Sequence, residues 1–146
     1  MALNKVALTT ALTSLFSNPP DSIDGCAAAW ADAMESYATS IVPASTTVPA
    51  AASDLEAALK TTFVNNGSTA MLTTLESDFL TFATTVGGGM TGYTSTPPPG
   101  LVGFSTIGNA DTHATAAANF ANKIDTWMKT GIATLIVSPY TVVNWS

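Results

Sequence analysis

The side chains that could do chemistry in this chain are few and widely spread. His113 is the single histidine, with Asp111 two places before it and Thr112 beside it. A catalytic histidine needs an orienting carboxylate and a nucleophile, and Asp111 with a nearby Ser or Thr has the right types. Ser and Thr are so frequent here that one falls near any histidine, and nothing in the spacing requires a triad. The expected role of His113 is therefore a local hydrogen bond in the first turn of a helix. Cys26, the single cysteine, lies on an apolar helical stripe, where a free thiol behaves as a small hydrophobe.

The acidic residues allow two further chemistries. Paired carboxylates can hydrolyse glycosides, and a cluster of them can hold Ca²⁺. Asp21, Asp24, Asp32, Glu35, Asp54, Glu56, Glu76 and Asp78 show no calcium-loop spacing, and they fall mainly opposite the apolar stripes or near helix starts. Solvated faces and helix capping account for them. One Cys and one His exclude the usual zinc sites. The expectation is no catalytic residue, no cofactor, no metal and no enzymatic activity.

Charge narrows the partners. Four lysines, no arginine and a net charge of −6 oppose phosphate and nucleic-acid binding, since the guanidinium fork is missing and the field repels polyanions. No apolar run reaches the length of a membrane span, and the N-terminus has no continuous hydrophobic targeting core. The expectation is a chain made in the cytoplasm, with no nucleic-acid and no membrane partner. Charged residues are only 10% of the chain, against roughly 25% in typical domains. Ala, Thr, Ser and Asn must cover the surface, which costs little to desolvate against other protein subunits.

The elements that would position these residues are helices around one repeated face. Trp30, Met34, Tyr37 and Ile41 are echoed 45 places later by Leu75, Phe79, Phe82 and Val86. A shorter helical pattern precedes each copy, at Leu8 to Asn18 and at Leu55 to Asn65. The 146 residues suit one domain. The expected fold is mostly α: a small bundle of two repeated helical hairpins plus a fifth helix, with strands confined to the ends.

In order, residues 1–43 hold the first hairpin, with helix one from Asn4 to Ser17. Asn18-Pro19-Pro20 stops it, and helix two runs to Pro43. Residues 44–52 read as a non-helical connector. Residues 53–86 hold the second hairpin, capped by Ser53 or Asp54, turned at Asn65-Asn66-Gly67 and broken at Gly87. Residues 87–109 are Gly/Pro-rich, with Thr96-Pro97-Pro98-Pro99-Gly100 a polyproline segment; a stiff connector is favoured over an SH3-type ligand. Residues 110–131 are the fifth helix and 132–146 a β-branched, extended tail.

The last third, with Thr96-Pro97-Pro98-Pro99-Gly100, Gly103-Phe104, Thr112-His113-Ala114, Ile124 to Gly131 and Val143-Asn144-Trp145-Ser146, resembles small proteins of tailed-bacteriophage genomes. The opening Met1-Ala2-Leu3-Asn4-Lys5 and the Asp/Ala-rich second helix resemble the same group. The resemblance implies a virion structural component, of the tail or baseplate, with other virion proteins or further copies of itself as partners. It brings no catalytic residues with it. A host-directed effector absent from the particle, or a capsid or neck accessory protein, are the alternatives.

If the helical stripes are consumed by an internal core, contacts to neighbours fall to the non-helical segments. Met90, Tyr93, Leu101, Phe104, Tyr140 and Trp145 are the expected interface residues, being apolar or aromatic with few charges around them. The competing arrangement folds these segments back to cap the chain's own bundle.

Overall fold

A computed structural model describes residues 2–65, 68–101, 103, 104, 107 and 110–146. It is a mostly α, small helical bundle with one small sheet: α1 (Lys5–Ser17), α2 (Ile23–Ala38), α3 (Val48–Asn65), α4 (Ser68–Gly88), β1 (Tyr93–Thr96), α5 (His113–Met128), β2 (Ile132–Leu135) and β3 (Val142–Asn144).

The echoed positions are all core. Trp30, Met34, Tyr37 and Ile41, and equally Leu75, Phe79, Phe82 and Val86, are buried. Helix α1 packs on α2 and α5, and α3 on α2 and α4. Local capping agrees with this arrangement. Asn4, Ser22 and Thr112 each accept a backbone N–H of their own first turn, removing orphan donors that a helix start leaves.

Several boundaries differ from expectation. Helix α2 ends at Ala38, with Thr39 as its cap, so Ile41 is buried from the following loop rather than from the helix. Helix α3 begins at Val48 instead of after residue 52, because Pro49 sits in its first turn, where a missing N–H costs nothing. Ser53 and Asp54 are thus exposed helix-interior residues, not caps. The turn expected at Asn66-Gly67 lies outside the described residues, and α5 runs from His113 to Met128, within the residues 110–131 expected for the fifth helix.

Helix α4 runs through Gly87 and Gly88. Its end is capped from the 45–47 loop: Ser45 Oγ donates to the Val86 carbonyl and Thr47 Oγ1 to the Thr85 carbonyl, each at 2.6 Å. A Cβ on Gly89 would lie 2.7 Å from the Thr47 backbone nitrogen. Only glycine permits that approach.

Strands are not confined to the ends. β1 comes from the Gly/Pro-rich segment and forms one edge of an antiparallel sheet of order β1-β2-β3. Tyr93 faces Leu135, and Thr134 faces Val142. The C-terminal tail therefore pairs within its own chain. Ser146 also exchanges two backbone hydrogen bonds with Val42, at 2.8 and 3.1 Å.

Candidate docking hairpin

Four of the six expected interface residues are buried in the chain's own core, which corrects their assignment to a free surface. Phe104 fills the space between α4 and α5: its ring meets Phe79 edge-on at 5.7 Å and Phe120 at 5.1 Å, and its N–H donates to Glu76 Oε1 at 2.8 Å. Leu101 and Met90 are buried with it in the same core. The Trp127 indole donates to the Pro99 carbonyl, which ties the polyproline stretch to α5 as a fixed connector.

Trp145 is 1% exposed. Its ring occupies room left by two glycines: a Cβ on Gly131 would lie 2.4 Å from its Cδ2, and one on Gly87 would lie 3.0 Å from its Cζ2. The reciprocal geometry makes the C-terminus a part of the bundle. These side chains have no surface left to offer a neighbour; the folded-back arrangement holds for them.

Tyr93 is half-buried and Tyr140 remains outside. Tyr140 stands at the turn joining β2 to β3, where Leu135 N donates to Thr141 O and Tyr140 N to Val137 O. Ile136, Val137, Tyr140 and Val142 are 58%, 58%, 62% and 59% exposed. No charged residue occurs from Thr130 to Ser146. The tip therefore leaves on the order of 400 Å² of apolar surface uncovered, comparable with the largest patch on a typical monomer, which is often functional. Tyr140 also has φ 53°. A bulky side chain in the left-handed region is a strained exception, and such strain concentrates at functional positions.

β3 is the other open edge of the sheet. Residues 141, 143 and 145 turn their backbone bonds toward β2 and Gly131, so alternation turns those of Val142 and Asn144 outward. With Ser146 paired to Val42, the free edge is only a few residues long.

A second apolar feature lies at the far end of the bundle. The last turn of α1 (Leu15, Phe16), the first of α2 (Ile23, Cys26), Phe63 of α3 and Met71 of α4 line an open cleft of about 460 Å³. Ile23, the first residue of α2, is 44% exposed on its rim. Cys26 donates weakly to the Pro20 carbonyl at 3.6 Å.

The polar groups form structural contacts. Asp125 is buried, accepts from Tyr37 Oη at 3.1 Å and is paired with Lys129 Nζ at 2.8 Å. Burial, then the Asp125 charge and hydrogen bond, push the Tyr37 hydroxyl far above its usual range. Periodicity did not single this cluster out, because its members lie 88 residues apart. Burial raises the Asp78 carboxyl, partly offset by its hydrogen bond from Thr62 Oγ1 at 2.6 Å. His113 is exposed at the start of α5, where Thr112 supplies the cap. Among the described residues no three His, Cys, Asp or Glu side chains are grouped to hold a metal ion, and no helix is long and apolar enough to cross a membrane.

In comparisons with protein-family models, curated proteins and solved structures, nothing matches the chain.

Proposed function

We propose that this chain is a structural subunit of a bacteriophage particle, of the tail or baseplate, that acts by protein–protein packing and not by catalysis. The observation that carries the packing role is the β2–β3 tip, where Ile136, Val137 and Tyr140 are exposed in a segment without charge and Tyr140 has a positive φ. A chain with so few charged residues has a surface that is cheap to desolvate, and exposed aromatic residues are frequent anchors of interfaces. The phage setting rests on the sequence resemblance of the last third and the opening residues. The buried Tyr37–Asp125 pair, with Lys129 on its solvent side, serves the fold, joining α2 to α5.

Mass spectrometry of purified virions tests the reading. A building block appears at fixed copy number. Absence from particles, together with synthesis early after infection, would replace it with a host-directed effector.

A further inference from the structure

We draw no further inference here: the strongest candidate, the open apolar cleft where α2 and α4 begin, lined by Phe16, Ile23, Trp30, Phe63 and Met71, is an unpartnered apolar face, and nothing in the structure shows what covers it.

Discussion

Replacing Trp145 by Ala should cost this protein a large part of its stability, although the residue is one from the end of the chain. The indole is 1% exposed and fits against Gly131 and Gly87. Removing a buried aromatic of this kind costs about 3–5 kcal/mol in lost burial and cavity, out of a total of roughly 5–15 kcal/mol for a domain. Among the described residues the Trp145 Nε1 has no hydrogen-bond partner, so the loss leaves no orphaned acceptor among them and the figure is carried by packing. Trp145→Phe should therefore cost much less. The glycine supplies the control. Gly131→Ala puts a methyl where Trp145 Cδ2 lies only 2.4 Å away, an overpacking worth about 1–3 kcal/mol. With Trp145 already shortened to Ala, that methyl has room. Urea denaturation followed by far-UV circular dichroism on the two single variants and the double gives the coupling. The double variant should be clearly more stable than the two separate losses predict. Additive losses, or a Trp145→Ala cost under about 1 kcal/mol, would show that the C-terminus does not pack as described.

Tyr37→Phe removes the hydroxyl that donates to Asp125 and should cost about 1–3 kcal/mol in urea denaturation, the range for depriving a buried acceptor of its donor; an unchanged midpoint would remove Asp125 from the core network. Asp78 has a folded-state pKa above its ordinary 3.8, so the folded state holds its proton where the unfolded chain has released it. Its contribution is fully present below 3.8 and lost as pH rises through the raised value. Asp78→Asn keeps an acceptor for Thr62 and should flatten stability against pH just above 3.8 relative to wild type; parallel pH profiles would contradict the burial of that carboxyl. Gly89→Ala should destabilise by about 1–3 kcal/mol, because the clashing partner includes the Thr47 backbone nitrogen, and a neutral result would place the 45–47 loop elsewhere.

The helical frame was legible because it is periodic. The stripe at Trp30, Met34 and Tyr37 and its echo at Leu75, Phe79 and Phe82 mark buried faces, and three- and four-residue spacing is a local property of the chain. Phe104 has no period to be read from. It is buried because the aromatic rings of Phe79 and Phe120 leave a gap that a loop residue can fill, and that gap exists only after the helices pack. Trp145 reads along the chain as an interface residue, but its seat depends on Gly131 and Gly87, whose smallness reads as helix stops. Pro49 reads as a breaker in the same way, although at a first turn it is tolerated. Tyr140 was selected with residues that turned inward. What separates it from them is its place at a two-strand turn, and the pairing of residues 93–96 with the tail was hidden in a segment rich in Gly and Pro. Asp125 carried a weak signal: an acid four places before Lys129 and adjacent to the buried Ile124.

In the proposed role, the β2–β3 tip holds this chain in a phage particle. The direct measurement is quantitative mass spectrometry of virions grown with the Tyr140→Asn form of the gene. An exposed position with relaxed backbone should leave folding and intracellular amount unchanged, while the variant falls to a small fraction of its wild-type copy number in purified particles. Incorporation of Tyr140→Asn at full copy number would contradict the claim.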